Sequence, residues 1–145
     1  MAPSSHEAAG KHSSATPTLH LLADTNQIAI ARSFIRETLG TWGLDIPAEE
    51  MEVVASELVT NAIVHGDGGV DVTVLRVPGR LRIEVVDEGF GPEPIQVRQP
   101  STTGRGGLGL RIVEGMSDAW GADRRPGHTR VWMERRLPID HRKPP

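Results

Sequence analysis

Three polar side chains recur every four residues in an otherwise apolar stretch of this chain. They are Glu57, Asn61 and His65, in the segment EEMEVVASELVTNAIVHG of residues 49–66. Side chains four residues apart lie above one another on a helix, so the three form one narrow stripe. A carboxylate beside an amide oxygen suits proton abstraction and magnesium binding, respectively. The spacing therefore predicts a polar site on a helix that is buried over most of its circumference.

Burial makes this stripe chemically demanding. A carboxylate removed from water costs several kcal/mol unless a cation, a metal or a ligand pairs with it. The alternative is a surface glutamate with a hydrogen-bonding asparagine, because ordinary helices also carry such pairs. For His65 we favour a helix-end residue that interacts with the last carbonyl groups over a catalytic or ligand role.

A second candidate site follows an apolar strand that ends in Asp87, in the sequence DEGFGP. An aspartate at a strand end can accept a hydrogen bond from an exocyclic amine. Glycines at positions 89 and 91 would let the backbone approach a flat ring. A plain turn is the alternative, since aspartate and glycine are turn residues.

The third candidate is the glycine-rich string GRGGLG of residues 104–109, which precedes an apolar helical pattern. Glycines before a helix allow backbone amides to face a phosphate, with a favourable field from the helix N-terminus. The string also matches the dinucleotide-binding pattern G-x-G-x-x-G. That interpretation is rejected, because the string follows a polar loop and lies outside a parallel βαβ unit. A Walker-type Gly-Lys-Ser or Gly-Lys-Thr ending is also missing.

The elements that must position these sites follow from periodicity and turn chemistry. We predict strands over residues 18–23, 70–77, 80–86, 118–124 and 128–137, and helices over 26–41, 47–66 and 110–116. Asp24 would cap the first helix, Pro47 would open the second in its first turn, and Gly66 would close it. The fold class is α+β, a two-layer sandwich whose mixed, mostly antiparallel sheet is covered by helices on one face.

Length and composition narrow the functional classes. The 145 residues fit one domain over 18–137, with a polar leader over 1–17, where His6 and His12 are read as solvated, and a flexible tail over 138–145. A net charge of −3 argues against direct nucleic-acid binding. The absence of cysteine excludes thiol catalysis and disulfides. No apolar run reaches the ~20 residues of a membrane span, so we expect a cytoplasmic protein.

In their order and spacing, three motifs resemble a known superfamily. They are ELVTNAIVHG at 57–66, DEGFGP at 87–92 and GRGGLGLRIVE at 104–114. Together they resemble the Bergerat-fold (GHKL) ATP-binding superfamily of gyrase, heat-shock chaperones, histidine kinases and mismatch-repair ATPases. Within it, the chain looks most like the bacterial anti-sigma factors that are serine/threonine kinases. The resemblance covers roughly residues 18–137.

This resemblance implies a role for each motif. Asn61 would ligate Mg²⁺ on the phosphates of ATP, and Glu57 would be the general base for the attacking hydroxyl. Asp87 would bind the adenine amino group, in a pocket shaped by Gly89 and Gly91. Arg105 would steady the transferring phosphoryl group. The backbone around the phosphates would come from Gly104, Gly106, Gly107, Leu108 and Gly109, and residues 93–103 would form the ATP lid.

The function that the resemblance implies is an anti-sigma factor with protein serine/threonine kinase activity. Its partners would be a sigma factor and an antagonist protein that it phosphorylates. A homodimer through the first helix or a sheet edge is left open. Two alternatives remain: a non-catalytic, ATP-sensing module that sequesters a transcription regulator, and a simple ATPase of the same fold.

Overall fold

A computed structural model describes residues 16–66, 68–88 and 111–138. Five strands and two long helices account for most of them. The strands are β1 (Thr18–Leu21), β2 (Val70–Val77), β3 (Arg80–Asp87), β4 (Ala119–Arg125) and β5 (His128–Arg136), and the helices are α1 (Ile28–Trp42) and α2 (Ala48–His65). Residues 111–115 are also helical. Most of the predicted leader and tail lies outside the described residues.

Helix α1 starts and stops at residues with clear local signals. A 3-10 turn, Thr25–Gln27, precedes it, and the Asp24 carboxylate accepts a hydrogen bond from the Asn26 amide at 3.1 Å. At the other end Gly43 adopts a left-handed conformation with φ of 62°, which glycine tolerates without steric cost. Ala31, Ile35, Thr38 and Leu39 form the buried face of α1. Asp24 therefore caps the 3-10 turn as a helix start, whereas α1 itself begins at Ile28, two residues later than predicted, after Gln27, whose side chain makes no capping hydrogen bond.

Helix α2 begins one residue later than predicted. Pro47 is the N-cap and not part of the first turn, because its ψ of 107° is extended. Gly66 ends the helix as predicted, and its amide donates to the Ala62 carbonyl at 2.8 Å. The buried residues of α2 are Met51, Val54, Ala55, Leu58, Val59 and Ala62. Within the described ranges no helix is long and apolar enough to cross a membrane.

The strands form one sheet in the order β1-β2-β3-β5-β4, and every pairing between neighbours is antiparallel. The predicted α+β fold with a mostly antiparallel sheet is confirmed, with the difference that every pairing among the described strands is antiparallel where a mixed sheet is expected. The physical reason lies in the connections. Strands β2 and β3, and likewise β4 and β5, are joined by tight turns at Gly79 and Gly127, which both have positive φ. Two helices, not one, separate β1 from β2, so the chain returns antiparallel instead of making a parallel crossover.

The face of the sheet that meets the helices is aliphatic. Alternate residues of β2, β3 and β5 point toward α1 and α2 and are almost fully excluded from solvent, namely Val70, Val72, Val74, Leu81, Ile83, Val85, Val131 and Met133. With the buried faces of the two helices they make a single core. This core includes the buried face of α2, next to the polar stripe. Packing of that face against the sheet therefore holds α2, and the stripe that it carries, in place.

The opposite face of the sheet carries charged side chains that pair with one another. Arg82 bonds Glu84 and Glu134, each at 2.7 Å, and its guanidinium lies 4.3 Å from the centre of the Trp132 ring. The Trp132 indole in turn lies over Gly121 of the neighbouring strand, where a side-chain carbon would come within 2.7 Å of the ring. Stacking and pairing keep the Arg82 side chain only 17% exposed.

One ion pair on this face links the edge strand β4 to its neighbour β5. Arg130 donates to the Asp123 carboxylate at 2.8 Å, and the two residues are opposite one another in the ladder. This hydrogen bond holds the pKa of the Asp123 carboxyl below its ordinary value of 3.8. A lowered folded-state pKa means that the pair stabilises the fold above the unfolded pKa and loses that contribution as the pH falls through the folded one.

We expect Asp123→Asn to lower the free energy of unfolding at pH 7 by up to about 1 kcal/mol, the usual range for a partly exposed pair. Because the wild-type pair is lost in acid, the difference should shrink once the pH falls below about 4. Urea unfolding at pH 7 and pH 3 measures both values. Asp45→Asn is the matched control, since Asp45 is exposed and pairs with no described residue. If Asp123→Asn lowered the free energy of unfolding by the same amount at pH 7 and at pH 3, this account of the ion pair would be contradicted.

Candidate functional site

Glu57 and Asn61 lie on α2 at the border between its buried and its exposed sides, and both are half-buried. On the core side of the stripe, Val54 and Leu58 are fully buried. On the solvent side, Val53 and Val64 are 36% and 61% exposed. The two polar side chains therefore lie along the boundary between the buried and the exposed face of α2. They are accessible to a ligand, and the packing of the neighbouring residues holds the helix backbone in place.

Asp87 is a buried acid at the end of β3, only 5% exposed. It lies opposite Val70 of β2 and Thr129 of β5, so a strand flanks it on each side. Its carboxylate packs against the C-terminal end of α2. A methyl group built on Gly66 would come within 2.5 Å of the Asp87 Cγ atom and 2.6 Å of Oδ2. Only glycine leaves room for this approach.

The same point on Gly66 lies 2.5 Å from the Ala62 carbonyl oxygen, one residue beyond Asn61. The strand acid and the last turn of the helix are therefore in contact. This contact brings together two of the three candidate sites that the sequence separates by 26 residues, from Asn61 to Asp87. The Asp87 carboxylate thus lies at the C-terminal end of the helix whose preceding turns carry Asn61 and Glu57.

Glu88 and the glycines after α2 were not identified as part of this region from the sequence. The exposed Glu88 side chain folds over the loop, where a Cβ on Gly68 would come within 2.5 Å of its Oε1 atom. Gly68 has a φ of 75°, which favours glycine independently. The signal available in the sequence is the series of glycines Gly66, Gly68 and Gly69 at the end of a helix.

His65 occupies the last turn of α2 and is exposed. The predicted position at the helix end is confirmed, and a catalytic or ligand role remains untested. Several predicted site residues lie outside the described residues: Gly89, Gly91, Gly104, Arg105, Gly106, Gly107, Leu108 and Gly109. The predicted lid over residues 93–103 lies outside them as well.

The helical segment 111–115, which follows the glycine-rich string, is described and is held at its C-terminal end. Val113 is fully buried in the core that α2 shares. The Ser117 hydroxyl donates to the Val113 carbonyl at 2.5 Å, and the Met116 amide donates to the Ile112 carbonyl at 3.1 Å. The end of the glycine-rich string therefore leads into an anchored helix.

Comparison with known proteins gives consistent relationships. A family model for the histidine kinase-like ATPase domain matches residues 21–135. The anti-sigma F factor of Clostridium acetobutylicum is 36% identical over 124 residues, which cover 74% of this chain and 86% of that protein. The anti-sigma F factor of Geobacillus stearothermophilus is 39% identical over 80 residues, and these cover 48% of this chain. In that alignment the chain spans about half of the relative, 55% of its length.

Among solved structures, the chain is similar to the RsbU and RsbW domains of Rv1364c from Mycobacterium tuberculosis. The TM-score is 0.62 at 27% sequence identity, and the match covers 84% of this chain and 33% of the other.

The close approach of Asp87 to Gly66 can be tested by stability. Gly66→Ala should lower the free energy of unfolding by about 1–3 kcal/mol, because the new methyl group must displace a carboxylate or a backbone carbonyl. Gly40→Ala is the matched control. Gly40 lies in α1 with no atom within 4 Å of its Cβ position, so alanine should stabilise by about 0.5–1 kcal/mol. Urea unfolding measures both, and equal effects of the same sign would refute the contact.

Proposed function

The chain belongs to the histidine kinase-like ATPase domain family, and from this membership we propose that it is an ATP- and magnesium-dependent protein serine/threonine kinase acting as an anti-sigma factor. The observation that carries the proposal is the contact between the end of α2 and the end of β3. It brings Asp87 next to the last turn of α2, and Asn61 and Glu57 lie on the turns that precede it. A nucleotide that reaches from Asp87 toward Asn61 would present its terminal phosphate near Glu57.

The residues at this junction fit a nucleotide. The buried Asp87 carboxylate can accept a hydrogen bond from the adenine amino group, and burial makes such a bond selective. Magnesium carried on phosphates needs only one or two protein ligands, and the Asn61 amide oxygen would supply one. The described residues contain no group of three His, Cys, Asp or Glu side chains that could hold a metal ion.

In the proposed reaction, bound MgATP supplies the terminal phosphoryl group with its charge partly neutralised. The Glu57 carboxylate takes the proton from a serine or threonine hydroxyl of the acceptor protein. The hydroxyl oxygen then bonds to the terminal phosphorus as the bond to the ADP oxygen breaks, so that ADP leaves with the bonding electrons. Arg105 would hold the transferring group, and the backbone of residues 104–109 would surround the other phosphates.

The partners in this proposal are a sigma factor, which the protein would sequester, and an antagonist protein, which it would phosphorylate. Two relatives that are named anti-sigma F factors support this choice. The setting would be the cytoplasm, where transcription takes place, and a homodimer is compatible with it. Phosphorylation of the antagonist would then decide which of the two partners the protein holds.

Glu57 can be tested as the base by transfer of label from ATP to an acceptor protein. Glu57→Gln should reduce the rate at least 100-fold, because a positioned general base contributes roughly 10²–10⁴-fold. Its affinity for MgATP should stay close to that of the wild type. Glu49→Gln is the control, since Glu49 is exposed in the first turn of the same helix. Label transfer that survives in Glu57→Gln would eliminate this assignment.

Binding calorimetry separates the roles of Asn61 and Asp87. For Asn61→Ala we expect the affinity for ATP to become nearly independent of Mg²⁺, because the variant lacks the proposed metal ligand. For Asp87→Asn we expect affinity to fall roughly tenfold or more with and without Mg²⁺, because a buried acceptor of the adenine amine is altered.

The proposal would be wrong if the wild type bound no nucleotide. Binding without transfer to any acceptor would favour an ATP-sensing module, and phosphate release without an acceptor would favour an ATPase.

A further inference from the structure

Arg135 reaches from the sheet to both helical elements of the candidate site. It lies on β5 opposite the buried Leu81, on the face that meets the helices. Its Nη1 atom lies 2.9 Å from the Glu50 Oε1 atom, in the first turn of α2. The same atom donates to the Met116 carbonyl at 3.0 Å, just after helical residues 111–115. One nitrogen of Arg135 therefore links β5 to the first turn of α2 and to the residue that follows helical residues 111–115.

This link differs from the other contacts at the end of the 111–115 helix. The bonds of Met116 and Ser117 to Ile112, Val113 and Glu114 are local to the segment. Among the residues that the structure describes, only the Arg135 side chain joins residues 111–116 to α2 through hydrogen bonds or ion pairs. The side chain is 24% exposed, so water screens these contacts less than it would at an open surface.

The link is distant from the candidate site. Arg135 lies six residues along the ladder from the position of Asp87, about 20 Å at the rise of a strand. Glu50 precedes Asn61 by 11 residues, roughly 16 Å along α2. Arg135 therefore cannot touch a nucleotide bound between Asp87 and Asn61. Any influence on binding must act through the relative position of the two helices.

We propose that Arg135 is a positioning residue for nucleotide binding, because it fixes the helix that follows the glycine-rich string against the helix that carries Asn61. This inference rests on the proposed function, in which phosphates contact both Asn61 and the residues just before position 111. Asn61 lies on α2, whereas those residues directly precede the helical residues 111–115 in the chain, so a shift of one helix against the other would change their separation. Misplacement of about 1 Å is enough to weaken catalysis strongly.

Three variants test the role of Arg135. Arg135→Met removes the ion pair with Glu50 and the hydrogen bond to the Met116 carbonyl, while it keeps much of the aliphatic side chain. Arg135→Lys should rescue the function, because both contacts use one nitrogen and an ammonium group also carries several donors. Glu50→Gln removes the charge of one acceptor only and should have an intermediate effect. The matched control is Arg36→Met, which breaks the bidentate pair between Arg36 of α1 and Glu52 of α2 without involving residues 111–116.

Two measurements are made on each variant. Hydrogen exchange of the nucleotide-free protein should be faster at the Met116 and Ser117 amides in Arg135→Met, and unchanged there in Arg36→Met. Calorimetry should show MgATP affinity roughly tenfold weaker in Arg135→Met, near wild type in Arg135→Lys and Arg36→Met, and between these in Glu50→Gln. Thermal unfolding identifies any variant that does not fold, in which case Glu50→Gln and Arg135→Lys decide the outcome.

The possible failures are distinguishable. A wild type that binds no MgATP would contradict the proposed function, whereas the exchange measurement would still report on the link itself. Wild-type binding with equal affinity in Arg135→Met or Glu50→Gln would overturn the role of Arg135 alone. A loss of affinity in Arg36→Met as large as in Arg135→Met would also overturn it, because the effect would then reflect general destabilisation.

Discussion

The contact between the Asp87 carboxylate and the backbone at Gly66 is the constraint on which the candidate site depends. It requires a residue without a side chain at the end of α2, because any Cβ there would collide with the acid and with the Ala62 carbonyl. It also requires that β3 end where α2 ends. Both conditions follow from the core beneath, where the aliphatic faces of α2 and β3 pack together. The site is therefore a consequence of how two elements terminate.

The core and the outer face of the sheet stabilise this arrangement in different ways. The core contains no charged group other than the Asp87 carboxylate at its edge among the described buried residues. The outer face pairs charged groups with one another, through Arg82, Glu84 and Glu134 and through Arg130 and Asp123. A sheet with one apolar and one self-paired polar face needs helices on one side only. The C-terminal end of α2 is accessible, because Val64 and His65 are exposed there.

Much of the architecture follows from local signals that the sequence contains. The β2–β3 hairpin is recognised by alternation around Pro78-Gly79, and Asp24 and Gly66 mark helix ends through capping chemistry. The errors are also local in origin. Proline suits both the N-cap and the first turn, so the sequence does not distinguish these two positions for Pro47, which is the N-cap of α2. The direction of strand pairing is harder to predict from the sequence than helix ends are, because it depends on how the helices between β1 and β2 pack.

The sequence by itself determined the residue types of the site and their helical spacing, because periodicity and turn chemistry act over a few neighbours. It therefore identified Glu57, Asn61 and Asp87 and the family resemblance of their motifs. Only the tertiary structure decided that Gly66 must accommodate Asp87 and that Arg135 bonds both Glu50 and the Met116 carbonyl. These contacts join residues 19 to 85 positions apart in the chain. Their partners are selected by the packing of helices on the sheet, which local sequence patterns do not encode.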